Sequence, residues 1–307
     1  MCQADTLCFD SARFLLGDFD GDGRADLMVV APRENGTAFW LLKNAGTHFE
    51  APRLWLQTSA DFTPDSAQQY VAGNFTGDKR ADVMIAQKRK DSGIDLWVMK
   101  SNGMPGAAPA LWLDARTLDA SARFLPARVD GSPLIGLIAM EDVNGTLALS
   151  QIASTGSAFS ASYRTNTVTQ LRAGFTKIVA GDIDGDGIDD LVLLEPLGGA
   201  TGTRVWTMKG GKTFDAPHES AMLPQVSYAD SMPTLIHRDE HDTSATLMLF
   251  KRANVRLQEF YYSGGAPSLT GYDFDTAFDL GRVQIWGDLP GLFSESLWLK
   301  SLAYWGK

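Results

Sequence analysis

Short apolar runs alternate with polar turn segments along most of this sequence. Residues 27–30 (LMVV) and 191–194 (LVLL) are apolar throughout, and each follows a segment rich in aspartate and glycine. Further short, mainly apolar runs precede those segments, at 13–16 (RFLL) and 177–180 (KIVA). Apolar runs of this length, bounded by turn signals, are typical of buried β-strands and are too short for ordinary helices. The pattern therefore predicts an all-β chain in which polar loops join consecutive strands.

The two aspartate-rich segments are copies of one loop. Residues 18–26 (DFDGDGRAD) and 182–190 (DIDGDGIDD) both carry carboxylates at loop positions 1, 3, 5 and 9, and position 7 can offer a backbone carbonyl. Ca²⁺ takes about six to eight oxygen ligands, and four carboxylates on one turn would repel one another without a cation. The loops run into strands and lack the terminal glutamate and flanking helices of an EF-hand. We therefore predict two calcium sites, with the candidate ligands Asp18, Asp20, Asp22, Arg24, Asp26, Asp182, Asp184, Asp186, Ile188 and Asp190.

A third copy of the loop, at residues 74–82, has only two carboxylates, and Lys79 replaces a glycine. Its corresponding positions are Asn74, Thr76, Asp78, Arg80 and Asp82. Neutral oxygens also bind Ca²⁺, but more weakly. This loop is either a weaker third calcium site or a metal-free turn. A further copy near 127–131 has lost most acidic positions, and Arg128 argues against a metal there.

These loops recur at a fixed period. Gly17 and Gly73 are 56 residues apart, and Gly181 follows 108 residues later, which is two periods of 54. The second half of the unit recurs as well, in segments around Trp40, Trp97 and Trp206 that each precede a glycine-containing turn and an Ala-Pro dipeptide. Each unit offers about four strands, the content of one propeller blade. We predict a single domain, residues 1–307, forming a β-propeller of about six four-stranded blades, with seven as the alternative count. The repeats lie near 17–30, 73–86, 127–140, 181–194, 235–250 and 286–299.

The strand–DxDGDGxxD–strand unit resembles the FG-GAP/VCBS repeat of integrin α-subunit propellers. It is also similar to the calcium propellers of secreted bacterial and fungal adhesins, lectins and toxin modules. Only residues 18–26 and 182–190 keep the full motif. Family members usually have seven blades, whereas 307 residues hold about 5.7 periods of this chain. Six blades closed by terminal strands, or a piece of a longer chain, would both account for that length. The resemblance implies a binding module.

Composition limits the setting. A net charge of −10 argues against a nucleic-acid partner, which requires a basic surface. No run approaches the roughly 18 apolar residues of a transmembrane helix. Cys2 and Cys8 can form a local disulfide outside the cell, remain free thiols, or include a lipidated Cys2. Loops of this kind more often depend on external calcium. We therefore expect a secreted, cell-surface or periplasmic protein.

The remaining candidates for chemistry have simpler structural explanations. Residues 237–242 (HRDEHD) combine imidazole and carboxylate groups that suit Zn²⁺, but they fall where the fifth loop is expected and are interpreted as a decayed loop. The recurring Trp40, Trp97 and Trp206 are expected to pack between blades, and Trp55 and Trp112 to lie in the core rather than stack on sugars. The sequons at Asn35 and Asn144 are also ordinary hairpin turns.

Three classes of function are compatible with this pattern. The first is a calcium-stabilised adhesion or carbohydrate-binding module for an extracellular glycan or protein surface. The second is a docking or structural propeller of a larger toxin or surface protein, and the third is a polysaccharide-degrading enzyme on the propeller face. We favour the binding module, because no motif supplies a nucleophile, a general base and an orienting group. We assign no catalytic residue.

Overall fold

The computed structural model describes the chain from residue 12 to residue 270 with short gaps. The described residues are 12–33, 36–62, 69–102, 106–161, 164–172, 174, 176–198, 202–224, 226–229, 231–236, 245–251, 257–263 and 266–270. Several sequence predictions fall outside them: the pairing of Cys2 and Cys8, the 237–242 cluster, the sequon at Asn35 and the repeat near 286–299.

Twenty β-strands form five four-stranded antiparallel sheets in this part of the chain. Sheet 1 contains β1 (Arg13–Gly17), β2 (Asp26–Arg33), β3 (Gly36–Leu42) and β4 (Arg53–Gln57). Sheet 2 contains β5 (Gln69–Gly73), β6 (Asp82–Lys88), β7 (Ile94–Met99) and β8 (Ala110–Ala115). Sheet 3 contains β9 (Arg123–Ala127), β10 (Gly136–Val143), β11 (Thr146–Ile152) and β12 (Arg164–Val168). Sheet 4 contains β13 (Lys177–Gly181), β14 (Asp190–Pro196), β15 (Thr203–Met208) and β16 (His218–Leu223). Sheet 5 contains β17 (Ser231–Ile236), β18 (Thr246–Lys251), β19 (Leu257–Ser263) and β20 (Ala266–Thr270), and a short 3₁₀ helix (Ala60–Phe62) follows sheet 1.

The five sheets are successive blades of a β-propeller. Within each sheet the strands follow in chain order, and the first strands of consecutive sheets lie side by side: β1 by β5, β5 by β9, β9 by β13, and β13 by β17. The first strands are therefore innermost, and we call the sheets blades 1 to 5. The predicted all-β propeller with four-stranded blades is confirmed. The total of six blades stays a prediction, because only five lie in the described residues.

One backbone hydrogen bond recurs between neighbouring blades and verifies the repeat register. The N–H at loop position 8 donates to the position 1 carbonyl of the preceding blade. The pairs are Ala81 to Asp18 (2.7 Å), Ile135 to Asn74 (3.1 Å), Asp189 to Arg128 (2.9 Å) and Ala245 to Asp182 (2.6 Å). The loops thus occupy one edge of the blades, and the decayed copy near 127–140 is the true loop of blade 3.

The apolar core lies between blades, because the middle strands bury both faces. Phe39 and Trp55 of blade 1 pack with Tyr70 of blade 2, and each later seam is filled in the same way. Trp55 and Trp112 are 1% and 5% exposed, so the predicted core role of these two rings is confirmed.

The recurring tryptophans on the third strands are half-buried. Trp97 packs edge-on against Phe62 of the preceding blade, with 5.3 Å between ring centroids, and Trp206 packs against the core between blades 3 and 4. Trp40 packs on the face of blade 1 that points away from blade 2. The strand register shifts beside each of them, so the repeated tryptophan marks a repeated β-bulge. The expected packing between blades is confirmed for Trp97 and Trp206.

The sequon at Asn144 coincides with a two-residue hairpin turn between β10 and β11. Asn144 and Gly145 have φ values of 55° and 83°, the left-handed pair of a type I′ turn. The turn interpretation of this Asn-Gly pair is confirmed.

Candidate metal and ligand site

The loop of blade 1, residues 18–26 (loop 1), gathers three carboxylates. Oxygens of Asp18, Asp20 and Asp22 all lie within 4.8 Å of one another. The Asp18 carboxylate accepts backbone N–H groups of Gly21 (2.6 Å) and Gly23 (2.8 Å), which wraps the chain around it. Both glycines have positive φ, 83° and 84°, so a side chain at either position would be strained.

The loop of blade 4, residues 182–190 (loop 4), is built in the same way. Asp182 accepts N–H groups of Gly185 (2.6 Å) and Gly187 (2.8 Å), and carboxylate oxygens of Asp182, Asp184 and Asp190 lie within 4.8 Å of one another. The triplet thus includes position 9 in loop 4, where loop 1 uses position 5.

The aspartate at loop position 9 ties each loop to the turn after the third strand. Asp26 is fully buried and accepts N–H groups of Phe19 (3.1 Å) and Asn44 (2.8 Å). Asp190 makes the equivalent pair of bonds in blade 4, and Asp82 accepts N–H groups of Ser101 and of Thr76, which is at loop position 3 rather than 2. Burial raises the pKa of Asp26 and of Asp190 to about 6, against the lowering effect of these N–H donors, and burial also raises the pKa of Asp82. Position 9 therefore has a structural role in all three loops.

The backbone N–H at position 7 donates to the position 5 carboxylate in all three loops. The N–H groups of Arg24 and Ile188 donate to the position 5 carboxylates of their loops, at 3.0 and 2.8 Å. The Arg24 guanidinium also pairs with Asp22 at 2.5 Å. In the loop of blade 2, residues 74–82 (loop 2), the N–H of Arg80 donates to Asp78 at 2.9 Å.

The depleted loops do not form a carboxylate triplet among the described residues. In loop 2, Asn74 accepts the N–H of Gly77 at 2.8 Å, and Lys79 takes a positive φ of 73° where loops 1 and 4 have glycine. In blade 3 the position 1 residue is Arg128, whose guanidinium pairs with buried Asp189 of blade 4 at 3.4 Å. An ion pair thus stands where the intact loops have their first carboxylate.

A lysine ammonium reaches each intact carboxylate cluster. Lys43 directly follows β3 and contacts Asp20 and Asp22, the latter at 3.3 Å. Lys209 directly follows β15 and contacts Asp184 at 2.7 Å. Each ammonium group lies where carboxylate oxygens would also hold a metal cation. Oxygen ligands suit Ca²⁺ or Mg²⁺ rather than softer metals. The residues present therefore fit the predicted calcium.

A cavity of about 220 Å³ opens beside loop 1, between blades 1 and 2. Phe19 and Trp55, both 1% exposed, form its base together with Leu41. Its rim carries charges of both signs. The rim residues are Asp20, Lys43, Glu50, Ala51, Arg53 and Arg80.

Comparison with known proteins agrees with this architecture. Residues 18–85 match the model of the FG-GAP-like repeat family, and a search of curated proteins found no match. The chain is a β-propeller in which residues 18–85 match an FG-GAP-like repeat. Among solved structures it is similar to a lectin from Agrocybe aegerita, described for specific recognition of non-reducing terminal N-acetylglucosamine. The identity is 16%, the TM-score is 0.58, and the match covers 84% of this chain but only 65% of the lectin chain.

A second similar structure is a triple arginine-to-alanine mutant of AofleA from Arthrobotrys oligospora. It has 10% identity and a TM-score of 0.53, with 86% of this propeller and 73% of that chain covered. At such identities the similarity establishes the fold alone. No helix in the described part of the propeller is long and apolar enough to cross a membrane.

One repeat position holds phenylalanine in blades 1, 3 and 4 but glycine in blade 2. Phe49, Gly106, Phe159 and Phe214 are equivalent, since each precedes a residue whose N–H bonds the carbonyl just after the third strand of its blade. The Phe159 ring packs against Phe75 and Trp112 of blade 2, with centroids 5.3 and 5.2 Å away.

In the preceding seam the counterparts of Phe75 and Trp112 are Phe19 and Trp55, and both line the cavity. Their facing residue is Gly106, whose N–H still donates to the Trp55 carbonyl at 3.0 Å. A Cβ there would lie 2.5 Å from the Trp55 ring, so this ring packs directly against Gly106, which is not one of the residues that line the cavity. Sequence reasoning missed the cavity beside loop 1, because the fold alone brings its lining residues together.

Proposed function

We propose that this FG-GAP-like propeller is a calcium-stabilised binding module that holds a sugar unit in the cavity between blades 1 and 2. The observation that carries the proposal is the cavity, which has an aromatic base, a charged rim and a position beside loop 1. Ligand pockets typically combine apolar walls with a few polar groups that fix orientation. In the next seam the Phe159 ring packs against Phe75 and Trp112, the counterparts of Phe19 and Trp55.

The size and chemistry of the cavity favour one ring of a glycan. Its volume of about 220 Å³ is below the ~300–1,000 Å³ of ordinary small-molecule pockets. The buried Phe19 and Trp55 close the apolar base of the cavity, and the rim side chains offer hydrogen bonds to the hydroxyl groups of a sugar. Bonds to charged side chains are the stronger kind. The lectin from Agrocybe aegerita, with its terminal N-acetylglucosamine, supports a carbohydrate as the ligand class.

Calcium supports the site rather than reacting in it. Asp18, Asp20 and Asp22 hold one cation in loop 1, and loop 4 holds a second through its own aspartates. Loop 2 has two carboxylates and no triplet, so it binds calcium less tightly or not at all. When bound, the cation supplies only charge neutralisation and rigidity to the loop edge. Because such loops fill at external calcium levels, we place the protein outside the cytosol.

The test is a glycan array probed with the intact protein in calcium and in EDTA. The Arg53→Ala variant removes a rim cation that is 69% exposed. Arg116→Ala is the matched control, because Arg116 is 59% exposed and lies outside the cavity lining. We expect binding to at least one glycan class in calcium, reduced by Arg53→Ala and unchanged by Arg116→Ala. Equal binding by both variants, or turnover of a bound polysaccharide, would overturn the proposal.

A further inference from the structure

Lys43 lies next to both loop 1 and the cavity. Its ammonium contacts Asp20 and Asp22 of the loop, and the side chain also lines the cavity together with Asp20. The side chain is 38% exposed, so it can swing without disturbing the packed core. We infer that Lys43 couples the two sites, so that calcium in loop 1 recruits an acidic sugar to the cavity. This inference rests on the function proposed above.

The first step is competition for the same oxygens. A divalent cation held by Asp18, Asp20 and Asp22 would carry two positive charges into the cluster that the Lys43 ammonium now contacts. Like charges at such short distances repel, so calcium binding displaces the ammonium from the loop. The lysine in turn lowers the affinity of the loop for calcium.

The chain itself contains a counterpart with the lysine displaced. Lys100 occupies the same repeat position in blade 2, where loop 2 has Thr76 in place of the Asp20 carboxylate. Its ammonium lies 5.5 Å from the centroid of the Trp112 ring, within the range of a cation–π contact. The counterpart of Trp112 is Trp55, at the base of the cavity. Once Lys43 is released from loop 1, its ammonium can turn toward Trp55 in the same way.

The released lysine changes the charge of the cavity rim. In the metal-free arrangement Lys43 is neutralised by Asp20 and Asp22, and Arg53 lies 3.6 Å from Glu50. With calcium bound, the Asp20 carboxylate serves the metal and the Lys43 ammonium faces the cavity without an acidic partner. The ligand that fits this state carries a carboxylate, as in a uronic acid.

Thermodynamic linkage makes the coupling reciprocal and measurable. The probes are calcium alone, glucuronic acid and the neutral sugar N-acetylglucosamine, each titrated by calorimetry. Asp186→Ala serves as the background, because it removes the loop 4 site and leaves loop 1 to be observed. In that background Lys43→Met should bind calcium about five- to tenfold more tightly, at the lower end of typical couplings. With Lys43 present, glucuronic acid should bind more tightly in calcium than in EDTA by a similar factor. The Lys43→Met variant should bind it equally in both conditions.

Two further variants separate coupling from general effects. Lys43→Arg keeps the charge and should retain the calcium dependence of glucuronic acid binding. Lys209→Met, in the otherwise wild-type protein, should tighten calcium binding in loop 4 without changing sugar binding. Calcium binding with equal affinity in the wild type and Lys43→Met would overturn the coupling alone. Absence of calcium binding to the wild-type protein would overturn the calcium proposal and the coupling with it.

Discussion

Removing the Phe159 side chain should open a cavity in the seam between blades 2 and 3. Phe159 is 3% exposed, and its ring packs edge-on against Phe75 and Trp112 at 5.3 and 5.2 Å. Truncation of a buried phenylalanine to alanine costs about 3–5 kcal/mol, including the cavity left behind. Each aromatic pair is worth about 0.5–1.5 kcal/mol beyond burial. Because two pairs are lost, we expect Phe159→Ala to lower the free energy of unfolding by about 4 kcal/mol.

Equilibrium unfolding in urea, followed by tryptophan fluorescence in the presence of calcium, measures this loss. The midpoint should fall while the slope stays constant, since the mutation changes stability and not the exposed surface. Phe49→Ala is the matched control, because Phe49 holds the same repeat position but is only half-buried, and it should cost about half as much. A loss below about 1 kcal/mol for Phe159→Ala would refute the claim that this ring fills the seam.

Three further predictions concern the carboxylate loops. Asp22→Ala and Asp186→Ala should each remove one bound Ca²⁺ in calorimetry, and Asp78→Ala should matter less; equal losses from all three would contradict this ranking. A ligand of the native state alone stabilises by about 2.7 kcal/mol at 100-fold excess over its Kd, so the melting temperature should fall in EDTA and recover better with Ca²⁺ than with Mg²⁺. An unchanged midpoint would argue against a structural role for the metal. Burial raises the pKa of Asp26 and Asp190 to about 6. Between about pH 4 and 6 these carboxyls are therefore mostly protonated in the folded, metal-free protein and mostly ionised in the unfolded chain. Their contribution to stability in EDTA therefore rises as the pH falls through 6, whereas protons displace calcium in the same range. The melting temperatures in calcium and EDTA should converge between pH 7.5 and 5, and parallel curves would contradict this reasoning.

The loops and the repeat architecture of this protein could be predicted from local features of its sequence. The carboxylate spacing of residues 18–26 and 182–190 predicted loops between strands, and both loops wrap Asp18 or Asp182 with backbone N–H groups. The period near 54 residues predicted the decayed loop of blade 3, and the Ile135 to Asn74 bond places it there. These features depend on residues close together in the chain, whose backbone geometry is set by glycine, aspartate and short apolar runs.

The tertiary structure decided which residues from different repeats meet. Nothing in the sequence near Gly106 indicates that this residue packs against the Trp55 ring, 51 residues earlier, or that Phe19 and Trp55 line a cavity. Likewise, the proximity of Lys43 to Asp20 depends on the third strand returning to the edge from which loop 1 begins. A repeat pattern specifies the average blade, whereas the cavity depends on which side chains meet beside loop 1. The repeat period therefore predicts the fold, whereas the candidate binding site depends on how blades 1 and 2 pack together.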